Sequence, residues 1–178
     1  MWLRYKLAAY LVKRRNRQPV ILLHPDKRLK RIAEMVNFDT MPMITRVRIV
    51  RKMSAALGGV TYGQRLGLAA PQIDINYRVV IVRGNVMFNP SWVPSKAPLE
   101  HGIEGCYSVP GKVYTVMRAK YGWATWQNID GKLMQSKLNG TPAIVFQHEL
   151  DHLNGTCCAD VGEEIKVEPG RTPPVQTK

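Results

Sequence analysis

Residues 141–155 read TPAIVFQHELDHLNG, and the rest of the chain must be arranged to serve this stretch. Thr141 offers an N-cap, Pro142 suits a first helical position, and Gly155 stands where a helix can end in a left-handed residue. The spacing therefore predicts a helix over residues 142–153. Within it, His148-Glu149-Leu150-Asp151-His152 has the pattern H-E-x-x-H. Residues four apart on a helix return to the same face one turn later, so two imidazoles can reach one ion at ~2.0–2.1 Å. Glu149, next to the first imidazole, can reach a water on that ion without itself coordinating. The remaining positions include Ile144, Val145, Leu150 and Leu153. Two histidines and two acids among these are costly to bury unless something compensates them. The reading is a single-metal hydrolase.

Working outward, Asn128-Ile129-Asp130-Gly131 reads as a hairpin turn between residues 113–127 and 132–138. Arg78–Arg83 (RVVIVR) is a strand by its β-branched run. Residues 84–111, with Pro90, Pro94, Pro98 and Pro110, read as loop. Two helices are expected earlier. One follows Asp26 as N-cap with Leu29, Ile32, Ala33 and Val36 on its apolar face. The other starts near Thr40, carries Met43, Val47, Val50 and Leu57, and ends at Gly58-Gly59. The fold class expected is α+β, with antiparallel β-sheets packed around a central helix carrying the HExxH motif. Three segments are expected: a basic extension at 1–18, with Leu3, Leu7 and Leu11 on one helical face; one metallohydrolase domain at 19–165; and a disordered, proline-rich tail at 166–178.

The charge is uneven. The chain has 26 Lys/Arg and 13 Asp/Glu, a net +13, of which residues 1–31 hold +9 with ten basic groups and one acid. Such a segment attracts polyanions, so a ribosome or rRNA contact through the extension is expected. No apolar run is long enough to span a bilayer. Three cysteines, two of them adjacent, do not make a disulfide framework, and the chain reads as reduced and cytoplasmic. The alternative is an organelle, with residues 1–18 as a transit peptide.

A catalytic site of this type needs a third protein ligand. Neither His24 nor His101 lies downstream of the motif. The residues leave open Cys106, a soft ligand next to Gly105, or one of Glu163, Glu164 and Glu168.

Three segments taken together, Gly67-Leu68-Ala69-Ala70-Pro71-Gln72, Glu104-Gly105-Cys106-Tyr107-Ser108 and Gln147-His148-Glu149-Leu150-Asp151-His152, resemble the peptide deformylase family in order and separation. The stretch from Ile21 (ILLHPDKRLKRIAEMV) is similar to that family's start. The resemblance covers about residues 20–155. It implies hydrolytic removal of the formyl group from the N-terminal formyl-methionine of nascent chains, with release of formate, by a monomer. It further implies that Cys106, His148 and His152 hold one divalent ion, natively Fe²⁺, with Zn²⁺, Ni²⁺ or Co²⁺ as replacements. Glu149 would shuttle protons. The Gln72 amide and the Tyr107 backbone N–H would donate to the oxyanion. Leu66, Gly67, Gly105, Ile144 and Val145 would line the substrate pocket, and a Glu104–Arg118 ion pair would brace the cysteine loop.

Two positions depart from the family pattern. Arg65 replaces a glycine near the site entrance, which bears on substrate range. Tyr107 replaces the usual leucine but keeps the backbone N–H. Two competing readings stand beside the hydrolase: a zinc peptidase with a downstream glutamate ligand, and a basic RNA-binding protein on the same scaffold.

Overall fold

A computed structural model describes residues 19–58 and 67–166 of the chain. The expectations for the extension at 1–18, for Arg65 and Leu66, for Glu168 and for most of the tail lie outside the described residues. The strands are β1 (Gly67–Ala69), β2 (Val79–Val82), β3 (Asn85–Pro94), β4 (Leu99–Cys106), β5 (Val109–Ala119), β6 (Tyr121–Gln127), β7 (Leu133–Asn139) and β8 (Glu163–Ile165). The helices are α1 (Met43–Ala56), α2 (Thr141–Leu153) and the single turn α3 (Cys158–Val161). Two antiparallel sheets result, one in the order β1-β2-β3-β6-β7 and one in the order β4-β5-β8. The molecule is α+β with antiparallel sheets, as the sequence suggested.

The RVVIVR segment is β2, and all four of its strand residues are buried. A β-branched run without alternation suits a strand covered on both faces. The Asn128–Gly131 turn joins β6 to β7, with Gly131 at φ +87° and its N–H donating to the Asn128 carbonyl at 3.0 Å. Helix α2 packs against strands of both sheets. Phe146 and Leu153 drive that packing: both are fully buried, in a cluster with Ala69, Val80, Val82 and Met87.

Several expectations are corrected. Residues 84–111 are not loop but all of β3, all of β4 and the start of β5. Pro90 sits where the β3–β6 register shifts between Phe88 and Ser91, and Pro94 ends the strand. Proline costs no ladder bond at such positions. The helix expected after Asp26 is a 3-10 turn at Lys27–Lys30, with the Asp26 carboxylate accepting from the Arg28 N–H. Beyond it the backbone bonds go elsewhere: Ala33 N–H to the Leu153 carbonyl at 2.9 Å, and Glu34 N–H to the Asn76 carbonyl at 3.0 Å. Tertiary pairing thus outbids local helix propensity, and Ile32 is left exposed. In α1, Pro42 is the N-cap, and the buried face is Arg46, Ile49 and Met53, not the one through Met43. In α2 the N-cap is Gly140, so Thr141 lies inside the helix. The run 113–127 is divided at Lys120, between one sheet and the other.

Gly155 closes α2 at φ +75°, and a Cβ there would meet the Lys30 carbonyl oxygen at 2.5 Å. Gly155→Ala should therefore cost about 2–4 kcal/mol in chemical denaturation, strain plus clash. Gly111→Ala, at φ +77° with nothing within 4 Å, should cost only about 1 kcal/mol.

Candidate metal centre

Strand β4 ends at Cys106, where the β4–β5 register shifts between Gly105 and Cys106. A bulge at a hairpin tip re-aims a side chain. Here the sulfur meets helix α2: Cys106 Sγ lies 3.2 Å from His152 Nε2. One ligand atom each from Cys106, His148 and His152 falls within 4.8 Å of the others. Donors ~2.0–2.3 Å from one tetrahedral ion stand roughly 3.3–3.7 Å apart, so the group fits a single ion. The rings of His148 and His152 are 5.0 Å apart and nearly perpendicular. The cysteine sulfur also accepts from the Ser108 N–H at 3.4 Å and the Gln72 amide at 3.6 Å.

Behind the imidazoles lies a buried ionic chain. His148 Nδ1 donates to Glu104 Oε2 at 2.8 Å, which leaves Nε2 with its lone pair free for an ion. Arg118 grips the same carboxylate with two bonds, at 2.7 and 3.0 Å, and donates to Asp151 at 2.6 Å. Gln147 on α2 exchanges bonds with the backbone of Ala119, accepting from its N–H at 3.0 Å and donating to its carbonyl at 2.7 Å. Helix α2 is thus bolted to β4 and β5 by three polar side chains, Gln147, His148 and Asp151. Asp151, Gln147 and Ser108 are missed by sequence reasoning. All three lie within the quoted segments without a role assigned: for the first two a polar residue on an apolar helix was the signal, whereas nothing local to Ser108 marked its hydroxyl.

The electrostatics follow from burial and partners. Burial raises the Glu104 carboxyl, but the hydrogen bonds of His148 and Arg118 hold it below the usual range. Burial works against protonated His148, and the Glu104 bond outweighs it, so His148 is raised. His152, buried and facing His148, is pushed down to about 3 and stays neutral, as an ion ligand must. The Cys106 thiol is raised by the neighbouring sulfurs and by burial; a bound cation reverses such a shift outright. Burial pushes Glu149 up to about 7. Glu149 Oε2 and His152 Nδ1 are buried without a hydrogen-bond partner among the described residues. A buried carboxylate kept unpaired beside imidazoles is a group held ready for a proton.

A cleft of about 440 Å³ opens onto this group, lined by Gly67, Gln72, Gly105, Cys106, Tyr107, Ile144, Val145, His148 and Glu149 among others. Gly67 has a steric reason: a Cβ there would collide with the Glu149 carboxylate. Gln72 is anchored at both ends of its amide, accepting from the Ala69 N–H at 2.9 Å and donating to Ser108 Oγ at 3.1 Å. The downstream glutamates are not brought in: Glu163 and Glu164 lie in β8, and Glu164 bonds Lys112 at 2.7 Å.

Arg118→Ala leaves Glu104 buried and half-partnered, so stability should fall by roughly 3–5 kcal/mol in urea denaturation. Lys112→Ala, which breaks the half-exposed pair with Glu164, should leave the midpoint nearly unmoved.

Comparison with known proteins agrees with this geometry. A family model described as Polypeptide deformylase matches residues 19–168. A Nitrosomonas europaea protein named Peptide deformylase 2 is 35% identical over 142 residues, covering 76% of this chain and 73% of that one. A Desulforudis audaxviator peptide deformylase is 37% identical over 147 residues, covering 79% and 90%. The solved structure of a Plasmodium falciparum peptide deformylase in complex with an inhibitor superposes with TM-score 0.71 at 35% identity, covering 80% of this chain and 88% of that one. The chain belongs to the peptide deformylase family, metal-dependent hydrolases that remove the formyl group from the N-terminal methionine of nascent polypeptides.

Proposed function

We propose that Cys106, His148 and His152 hold one divalent ion, natively Fe²⁺ and replaceable by Zn²⁺, Ni²⁺ or Co²⁺, and that Glu149 carries the proton in deformylation. The convergence of one sulfur and two imidazoles beside a buried, unpaired carboxylate is the observation that supports this reading. In it, the helix bearing the HExxH motif is the central element around which the two sheets pack. When bound, such an ion supplies Lewis acidity and lowers the pKa of water towards ~7.

The side chains divide the remaining work. Glu149 accepts the proton of the attacking water and passes it to the departing amine nitrogen, so that water and the formamide become formate and a free amino terminus. Gln72 Nε2 and the Tyr107 backbone N–H donate to the carbonyl oxygen as it gains charge. Leu66, Ile144 and Val145 take the methionine side chain, while Gly67 and Gly105 let the peptide backbone approach. Glu104 and Arg118 act behind the ligands, fixing the orientation of His148. Residues 19–165 form the catalytic domain of a cytoplasmic monomer. The basic extension at 1–18 contacts the ribosome or its rRNA, and residues 166–178 form a tail.

Glu149→Gln should keep one metal ion per chain by elemental analysis yet lose ~10²–10⁴ or more in formate release from formyl-Met peptides. Cys106→Ser should lose the ion itself. Retention of the ion by Cys106→Ser would remove the proposed ligand set. Removing residues 1–18 should abolish co-sedimentation with ribosomes at low salt and leave formate release intact. Co-sedimentation that is insensitive to salt would contradict an electrostatic arm.

A further inference from the structure

Beside the proposed ligand set lies a second cluster that deformylation does not use. The sulfurs of Cys106, Cys157 and Cys158 fall within 4.8 Å of one another, and all three are free thiols. Cys157 and Cys158 are 2% and 1% exposed. They pack with Val109, Tyr114 and Val116. That packing accounts for apolar surroundings but not for three sulfurs facing one point.

The backbone that presents them is pinned. The Cys157 N–H donates to Asp160 Oδ2 at 2.7 Å, and Asp160 in turn pairs with Lys30 at 2.5 Å and His24 at 3.0 Å. Gly162 packs so closely that a Cβ on it would meet the Cys158 carbonyl oxygen at 2.9 Å and the Thr115 carbonyl oxygen at 2.9 Å. The third sulfur, on Cys106, comes from the tip of the β4–β5 hairpin and opens onto the cleft. Three sulfurs with bonds of ~2.3 Å to one ion stand roughly 4 Å apart, which this spacing allows.

Cys106 therefore has two faces. Towards α2 it meets two imidazoles, a set for borderline divalent ions; towards α3 it meets two thiols, a set that selects soft ions. We propose that Cys106, Cys157 and Cys158 form a second, three-sulfur site for a soft thiophilic ion, which withdraws Cys106 from the His148–His152 pair. The binding stands on the sulfur geometry alone; its effect on turnover rests on the proposed ligand role of Cys106. Trivalent arsenic separates the two faces, because thiols bind it and imidazoles do not. On uptake as arsenite, with Cys106 counted in its protonated form, three S–H and three As–O bonds are exchanged for three As–S bonds and three waters, with no change of oxidation state.

The test is titration of the metal-loaded full-length protein with arsenite. Three quantities are followed: arsenic per chain by native mass spectrometry, sulfur neighbours by X-ray absorption at the arsenic edge, and release of the resident ion. One arsenic per chain with three sulfur neighbours, released ion in equal amount and lost formate release are expected. Cys157→Ala and Cys158→Ala should keep formate release and need at least ten-fold more arsenite to lose it. No bound arsenic, only one or two sulfur neighbours, or variants as sensitive as the parent would overturn the proposal. If the variants do not fold, the sulfur count on the parent protein decides alone. Arsenic held by three sulfurs in a chain that never releases formate would instead sink the deformylase reading and leave this site standing.

Discussion

Everything in the site hangs on the carboxylate of Glu104. It accepts two bonds from Arg118 and one from His148, and all three side chains are buried. Glu104 belongs to β4, Arg118 to β5 and His148 to α2, so this one group ties a hairpin to a helix that local forces would not otherwise orient. Charges so buried are tolerable only when each lone pair and proton is matched. Here Asp151 takes the remaining reach of Arg118. The same carboxylate that closes the ionic chain sets which nitrogen of His148 is free. Two positions along β4 lies Cys106, just past the register shift that turns its sulfur towards the imidazoles.

A second constraint is space. Glu149 must be buried for its carboxyl to titrate near neutrality, yet must face the cleft. The chain meets this by running β1 past it with Gly67 at the contact, where any side chain would strike the carboxylate. The sheet thereby supplies desolvation without a hydrogen bond, which is the condition that raises a carboxyl pKa.

How much of this could be read from sequence depended on whether the signal was local. The HExxH helix, the β2 run and the Asn128–Gly131 hairpin turn carry their own periodicity or turn chemistry, and they stand where residue patterns put them. The strands hidden in 84–111 were illegible because prolines usually break ladders. Pro90 escapes that rule only through a bulge whose other half is β6. The segment after Asp26 reads as helix because Leu29, Ala33 and Val36 have helical spacing. All three are indeed buried, but residues 31–36 form no helix and bond instead to Leu153, Asn76 and Asn89. In the site, the paired histidines were legible from a four-residue spacing. The sulfur was not: spacing alone left Cys106 level with three downstream glutamates, and only the family resemblance singled it out. Its neighbours Cys157 and Cys158 read as an ordinary adjacent pair until the fold brought β4 beside α3.

The chemistry proposed for the chain reduces to the identity of three donor atoms around one ion. X-ray absorption at the edge of the bound metal, on protein purified anaerobically with its resident ion, reads those atoms directly. The account predicts one sulfur at ~2.3 Å and two imidazole nitrogens at ~2.0–2.1 Å. A first shell of nitrogen and oxygen alone, with no sulfur, would contradict it.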